Sequence, residues 1–178
     1  MEVFDLYDKD RQKTDKTMKR GMAVPDDHYR MVVHAALFGS NGKMLIQQRQ
    51  NDKESWPDLW DLTVGGHVIS GETSSECVGR ELDEELGIKI DFSDKRPCFT
   101  VNFDTGFDDY YVVTMDVDLN DINLQTEEVQ AARWASLEKI LEMIDKGVFI
   151  PYKKSLIKML FEMKGSIGAH RKKRTPYS

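Results

Sequence analysis

Apolar and polar positions along the chain form two kinds of pattern, one typical of strands and one typical of helices. Short apolar and β-branched runs bounded by turn residues indicate strands, whereas apolar residues three and four apart indicate one face of a helix. The strand pattern occurs at residues 3–7, 30–38, 43–48, 61–64, 88–90, 97–103 and 110–117, and again before Trp134. The helix pattern occurs at residues 73–86, 137–146 and 151–164. Together they predict an α/β fold in which helices pack on a sheet.

The segments between these elements predict where the chain turns. Asn41-Gly42 is typical of a two-residue hairpin turn, and Gly65-Gly66 is expected to turn the chain into the first helix. Residues 8–20 are dense in Lys, Asp and Thr, which leaves a hairpin, a loop and a mobile segment over the site as alternatives. Residues 104–109 contain Gly106 and are expected to form a loop at the rim of the site.

The first predicted helix has well-marked ends and one face suited to burial. Thr73 and Glu76 fit a capping box at its start, and Gly87 fits the position just past its end. Apolar residues repeat every four positions along it, at Val78, Leu82 and Leu86. The sequence therefore predicts that this helix buries one stripe against the sheet.

Three carboxylates share another face of the same helix. Glu81, Glu84 and Glu85 have the i, i+3, i+4 spacing that brings side chains together. Ionised carboxylates held this close repel one another unless a cation neutralises them, and an all-oxygen cluster suits Mg²⁺ or Mn²⁺ better than Zn²⁺. The spacing alone leaves two interpretations open, a divalent-metal site and a solvated acidic face.

The segment around this face matches a longer motif. Gly66 is followed by Glu72 and then by the run Arg80-Glu81-Leu82-Asp83-Glu84-Glu85-Leu86-Gly87-Ile88. The whole segment resembles the signature box of the Nudix hydrolases. The resemblance implies the Nudix fold, an α/β/α sandwich with a mixed central sheet, as a single domain over residues 1–165. A basic, flexible tail over residues 166–178 is expected to follow it.

The resemblance also implies roles for individual residues. Its metal ligands, usually for Mg²⁺, are expected to be Glu81, Glu84, Glu85 and the backbone carbonyl of Gly65. Its structural positions are expected to be Gly66, Glu72, Arg80 and Gly87, with the glutamate and the arginine paired so that the loop is held against the helix.

The reaction that the resemblance implies is Mg²⁺-dependent hydrolysis of the diphosphate linkage in a small molecule, of the nucleoside-diphosphate type or a related one. A carboxylate would take the proton of the attacking water. The candidates for this base are Glu84, Glu81 and Glu128, in that order. The last of them comes from the loop before the strand that ends near Trp134.

Flanking features resemble the isopentenyl-diphosphate-isomerase-like branch of the same superfamily, among them the Trp-Pro-Asp-Leu-Trp segment and the Gly-Gly-His turn. Those isomerases place a cysteine where this chain has Gly65, which disfavours the isomerase as an alternative function. His67 matches an isomerase metal ligand and is therefore a candidate for a second metal position, although a lone histidine after such a turn more often forms a hydrogen bond in a loop. A non-catalytic nucleotide or metabolite binder is the remaining alternative, and no box glutamate is lost.

Two pairs of residues near the motif are expected to have structural roles. Trp56 and Trp60 flank a proline, an arrangement that more often packs a loop against a core than stacks on a base. His28 and His34 flank or lie in the first central strand, where a structural role is favoured over a chemical one.

Composition narrows the partners and the location. The net charge of −6 argues against general nucleic-acid binding. No apolar run reaches the roughly 18 residues of a membrane span, and the first residues lack the pattern of a signal peptide. A cytoplasmic protein with a small-molecule diphosphate as partner is expected, and a homodimer stays open. Cys77 and Cys98 are expected to be reduced thiols.

Overall fold

The computed structural model describes residues 1–170 of the chain. The basic cluster at 171–174, predicted to belong to a flexible tail, lies outside the described residues. None of the helices within residues 1–170 has the length and apolar content needed to cross a membrane.

A seven-stranded mixed sheet forms the centre of the molecule. Along the chain the strands are β1 Val3–Tyr7, β2 Lys13–Lys19, β3 Arg30–Phe38, β4 Met44–Arg49, β5 Trp60–Asp61, β6 Val64–His67, β7 Phe99–Phe103, β8 Gly106–Thr114 and β9 Val129–Ala135. The helices are α1 Ser74–Leu86, α2 Leu137–Asp145 and α3 Lys154–Met163, with a short 3₁₀ turn at Leu119–Asp121. The central sheet has the order β5-β4-β3-β8-β7, with β6 pairing β3 and β9 pairing β4. Strands β3 and β8 are parallel, while the other described pairs are antiparallel.

The two faces of the sheet bury separate cores because side chains alternate along each strand. On β3, Val33, Ala35 and Leu37 pack on the side of α1. Ala36 and Phe38, between and after them, pack on the side of α2 and α3. Helices thus cover both faces, and the predicted α/β/α sandwich with a mixed central sheet is confirmed.

Helix α1 has the ends that the sequence predicts. The side chain of Thr73 accepts a hydrogen bond from the backbone N–H of Glu76, and the Glu76 carboxylate accepts one from the Thr73 backbone N–H. Gly87 is left-handed, with φ of 69°, and its N–H donates to the carbonyl of Asp83. The predicted stripe of Val78, Leu82 and Leu86 is fully buried.

Of the three alternatives for residues 8–20, the structure has a hairpin: this segment contains the turn and the second strand, β2, of an N-terminal hairpin. Strands β1 and β2 form their own two-stranded sheet, which packs through Phe4, Leu6 and Met18. The turn of this hairpin is anchored to the central sheet by an ion pair between Arg11 and Asp109, a carboxylate with no exposed surface. The hairpin is therefore tied down beside the sheet, and it brings Glu2 and Arg20 to a cleft described below.

Several predicted boundaries were wrong in the region before α1. Gly65-Gly66 does not form a turn, since both residues lie within β6 and pair with β3. The single strand predicted at 61–64 is instead divided between β5 and β6. The Asn41-Gly42 connection spans residues 39–43, because Phe38 pairs with Met44 and the Gly39 N–H donates to the Lys43 carbonyl.

Three predictions after α1 were also wrong. Residues 88–90 form no strand, because Ile88 and Ile90 pack on the α1 side of the core without pairing to another strand. The loop predicted at 104–109 is a turn at 104–105, since β8 already begins at Gly106. The last helix begins at Lys154, three residues after the predicted start at Pro151.

Candidate active site

Residues distant in sequence line one cleft of about 450 Å³. Most of the predicted site residues meet there: Gly65, Gly66, His67, Arg80, Glu81, Glu84, Glu85 and Glu128. Two of the predicted structural residues lie outside its lining, Glu72 beside Arg80 and Gly87 at the far end of α1. Helix α1, strand β6 and the loop before β9 thus converge on a single concave surface.

The Glu81 carboxylate lies directly over strand β6. A Cβ atom added at Gly66 would come within 2.5 Å of Glu81 Cγ and closer still to the carboxyl group. Glycine at position 66 is what allows the carboxylate to approach the strand backbone. Burial raises the pKa of Glu81 to about 7, even though Arg80 donates a hydrogen bond to it and lowers the pKa in part.

Glu85 is the most deeply buried carboxylate of the cluster. Gln47 donates a hydrogen bond of 2.7 Å to its Oε2. Burial, followed by the nearby charges of Glu81, Asp61 and Glu128, raises the pKa of Glu85 well above its usual range. The positive charge of Arg49 offsets this rise only in part.

Arg80 connects three glutamates. Its guanidinium donates to both oxygens of Glu72, at 2.8 and 3.1 Å, which fixes the residue-72 loop to the helix. Its Nη1 also donates to Glu81 at 3.0 Å and to Glu84 at 2.9 Å. With these carboxylates turned to Arg80, no three His, Cys, Asp or Glu side chains within residues 1–170 stand arranged around a common metal position.

Glu128 reaches the cleft from the loop before β9. Its carboxylate pairs with Lys53, and its backbone carbonyl accepts a hydrogen bond from Gln50. The same loop is joined to α1, because the Gln125 N–H donates to the Glu85 carbonyl at 3.0 Å. Glu128 thus belongs to the wall that faces residues 50–59.

His67 lies between the cleft and the N-terminal hairpin. Its ring stacks on Phe4 with 5.1 Å between centroids. Burial, reinforced by the positive charges of Arg30 and Arg20, lowers the pKa of His67 to about 4. The imidazole is therefore neutral at physiological pH.

One wall of the cleft was missed by the sequence reasoning. His34 points toward the cleft from β3, with its ring stacked on Tyr110 at 4.8 Å and its Nε2 3.4 Å from Asp108 Oδ1. Its Nδ1 is buried without a hydrogen-bond partner. Nearby, the hydroxyl of Tyr152 donates to Asp61 Oδ1 at 2.8 Å. These residues come from four different elements or loops, so only the strand register could have brought them together.

The two tryptophans around Pro57 behave differently. Trp60 packs as expected, with the Arg133 guanidinium 3.9 Å from its ring centroid. Trp56 is 50% exposed and lines the cleft, so the prediction that it packs against a core was wrong. The position of the Trp56 side chain follows from the backbone conformation of its loop rather than from burial of the indole.

The two cysteines are not paired with each other. Both are free, and Cys77 is buried on α1. Burial raises the pKa of the Cys77 thiol far above its usual range, which suits a structural thiol.

A Gly66→Ala variant is expected to lower the hydrolytic activity that the family resemblance implies by at least about 100-fold, because the added methyl group would displace the Glu81 carboxylate by roughly an ångström. The matched control is Gly79→Ala in α1, where a Cβ meets only ordinary contacts at 3.5 and 3.6 Å. That control should keep its activity and gain up to about 1 kcal/mol of stability from helix propensity. Steady-state kinetics and thermal unfolding of both variants measure the difference, and equal activities would contradict the placement of Glu81.

Comparison with known proteins identifies related sequences over most of the chain. A family model described as the NUDIX domain matches residues 28–154. An uncharacterised Nudix hydrolase of Listeria innocua is 44% identical over 170 residues, covering 96% of this chain and 99% of the relative. An isopentenyl-diphosphate Delta-isomerase of Halobacterium salinarum is 30% identical over 114 residues, covering 60% of this chain and 54% of the relative.

Solved structures show the same architecture. A crystal structure of a Deinococcus radiodurans protein superposes with a TM-score of 0.71 at 26% identity, covering 90% of this chain and 98% of that one. A MutT protein from Methanosarcina mazei superposes with a TM-score of 0.61 at 26% identity, covering 78% of this chain and 96% of that one.

Proposed function

Since this chain belongs to the Nudix hydrolase family and is a pyrophosphohydrolase acting on phosphorus-containing anhydrides, we propose that it hydrolyses the diphosphate linkage of a nucleoside-diphosphate-type or related small molecule, with Mg²⁺ as cofactor. One observation carries the proposal. Three glutamates of α1 converge on one cleft; Glu85 is buried there and Glu81 is largely enclosed, and the pKa values of both are raised. With Glu81 and Glu84 released from Arg80, these carboxylates would supply oxygen ligands for a cation between the protein and a phosphorylated substrate.

The chemistry of the residues fits a hard divalent cation. The donors are all oxygen atoms: the carboxylates of Glu81, Glu84 and Glu85 and the backbone carbonyl of Gly65. The raised pKa values of Glu81 and Glu85 have burial as their main cause, which is the condition that a bound cation would relieve. When bound there, Mg²⁺, or Mn²⁺ in its place, supplies positive charge for the phosphate oxygens and lowers the pKa of water.

The general base is proposed to be Glu84, with Glu81 and Glu128 as the other candidates in that order. The side chain of Glu84 is 51% exposed, so water reaches it from the cleft. Glu81 is the more enclosed of the two, with a side chain that is 14% exposed. Glu128 is held by Lys53, and releasing that pair would have to precede any proton transfer to it.

Cationic side chains in the same cleft suit a substrate rich in phosphate. Arg20, Arg30, Arg49 and Lys53 all line it. They come from the N-terminal hairpin, β3, β4 and the loop after β4, so the positive charge is distributed around the carboxylates of α1. His67 is proposed for a second metal position, since its neutral ring keeps a lone pair available for a metal.

The isomerase alternative meets a specific obstacle at position 65. A Cβ atom there would lie 3.0 Å from the buried Nδ1 of His34, so a cysteine would require that ring to move. Similarity to an isomerase is therefore not sufficient to assign isomerase activity to this chain. Loss of a box glutamate would have supported the alternative of a non-catalytic binder. All three box glutamates are present.

Domain organisation, location and partners are proposed on the same grounds. Residues 1–165 would form one domain that binds a small-molecule diphosphate in the cytoplasm and has neither nucleic acid nor membrane as partner. A homodimer is compatible with this proposal.

A phosphorus NMR time course in ¹⁸O-labelled water tests the function. The panel contains nucleoside di- and triphosphates, nucleotide sugars, dinucleotide cofactors, coenzyme A and isopentenyl diphosphate, each with Mg²⁺ and with EDTA. Cleavage of a diphosphate that EDTA stops is the expected result, and the isotope shift identifies the phosphorus attacked. Change of isopentenyl diphosphate alone, without phosphate release, would favour the isomerase. Absence of any turnover would favour the binder.

A further inference from the structure

The loop of residues 50–59, here called the Trp56 loop, holds its tryptophan in a costly backbone conformation. Trp56 has φ of 52° and Asp58 has φ of 64°. Left-handed backbone is rare for a bulky aromatic residue, and Pro57 further restricts the residue that precedes it. Strain of this kind persists only where the surrounding structure enforces it, and it concentrates at functional sites.

Hydrogen bonds from neighbouring strands enforce this conformation. The Asp58 carboxylate accepts from Gln130 at 2.8 Å and from Gln48 at 3.2 Å. The Asp58 N–H donates to the Gln50 carbonyl, and Arg49 Nε donates to the Ser55 carbonyl at 3.2 Å. The loop is therefore pinned on both sides of Trp56, while the indole itself is left half in solvent.

The half-exposed indole of Trp56 lines the cleft. Within residues 1–170 no aromatic ring or cation stacks on Trp56, whereas the ring of Trp60 is covered by Arg133. The Trp56 loop also carries Lys53, which pairs with Glu128. A flat aromatic surface thus stands at the same wall as charged groups suited to phosphate.

We propose that Trp56 is a stacking platform for a planar heteroaromatic group of the substrate, of the nucleobase class. The inference rests on the proposed function, because it places the remainder of the diphosphate in the same cleft. Stacking on an indole favours a π-face over an aliphatic chain and tolerates different bases, so selection would be for planarity rather than for one base. Trp56 is accordingly a specificity-determining residue rather than part of the bond-breaking machinery.

The test uses binding and stability together. Trp56→Gly removes the indole and relieves the positive φ, while Trp56→Phe keeps an aromatic ring. Affinity for adenosine and cytidine diphosphates is measured by titration calorimetry with Ca²⁺ in place of Mg²⁺ to slow turnover, with inorganic pyrophosphate and isopentenyl diphosphate as ligands that have no planar group. Intrinsic fluorescence gives a second signal, with Trp134→Phe as the control that should retain nucleotide-induced quenching.

The expected result is a loss of roughly 5- to 100-fold in nucleoside-diphosphate affinity for Trp56→Gly, a smaller loss for Trp56→Phe, and no change for pyrophosphate. The melting temperature of Trp56→Gly should stay equal or rise, which a merely structural tryptophan would not allow. Unchanged nucleotide affinity, or an equal loss for pyrophosphate, would overturn the inference. If the wild-type protein binds nucleotides through Trp56 but hydrolyses none of them, the proposed reaction is refuted. The inference about Trp56 would still hold.

Discussion

Replacing Glu84 with glutamine is expected to lower kcat by about 1000-fold or more, the equivalent of several kcal/mol of transition-state stabilisation. Glutamine has nearly the same size, and its carbonyl can still accept the hydrogen bond that Arg80 Nη1 donates at 2.9 Å. What disappears is the negative charge and the ability to take a proton. The proposed loss therefore reports on chemistry and cation binding rather than on packing.

The matched control for this variant is Asp83→Asn. Asp83 is the adjacent residue on α1, where it forms a 3.5 Å surface pair with Lys89, and the change removes the same unit of charge. Activity within about twofold of wild type is expected for it, since exposed pairs contribute little. Initial rates are measured over a Mg²⁺ titration. Recovery at high Mg²⁺ would assign Glu84 to cation binding alone, and full activity of Glu84→Gln would contradict both proposed roles.

Glu81→Gln is expected to stabilise the metal-free protein increasingly as pH rises. The pKa of Glu81 is raised from 4.5 to about 7 in the folded state, mainly by burial. Below the unfolded pKa both states hold the proton, so glutamate and glutamine differ little. Between the two pKa values the unfolded state has lost its proton while the folded state retains it, and stability falls as pH increases. Above pH 7 the accumulated cost of the wild-type carboxylate is about 3 kcal/mol.

The measurement is the free energy of unfolding of both proteins in EDTA from about pH 5 to about pH 8. Comparison with the variant is needed because the pKa of His67 is lowered to about 4, so its own contribution rises with pH over an overlapping range. In excess Mg²⁺ the order should reverse, since the wild type gains the free energy of cation binding. A difference between the two proteins that is constant across pH would show that Glu81 does not titrate as proposed.

Local signals explain why α1 and the carboxylate cluster could be predicted from sequence. The capping box, the left-handed Gly87 and the apolar stripe all lie within a few residues of one another, so they depend little on the rest of the fold. The spacing of Glu81, Glu84 and Glu85 is a property of the helix itself. The sandwich followed from the order of strands and helices together with the family resemblance.

The remaining parts of the site depend on tertiary pairing. Gly65-Gly66 reads as a turn in sequence, yet pairing with β3 draws both glycines into a strand. His34 and Asp108 approach each other only because β3 and β8 run parallel in one register. Trp56 was misjudged because its exposure follows from two left-handed residues and from hydrogen bonds to other strands, none of which has a sequence signature.

The parallel pairing of β3 with β8 has a consequence for how the chain assembles. Its register joins Arg30 to Gly106 and Phe38 to Thr114, so α1 and all the intervening strands lie within the loop that this pairing closes. Closing such a loop costs chain entropy before any contact repays it, whereas α1 needs only neighbours in sequence. During refolding, helical signal should therefore develop ahead of the cleft. We therefore expect the cleft to be completed late in folding, only once β8 is available to pair with β3.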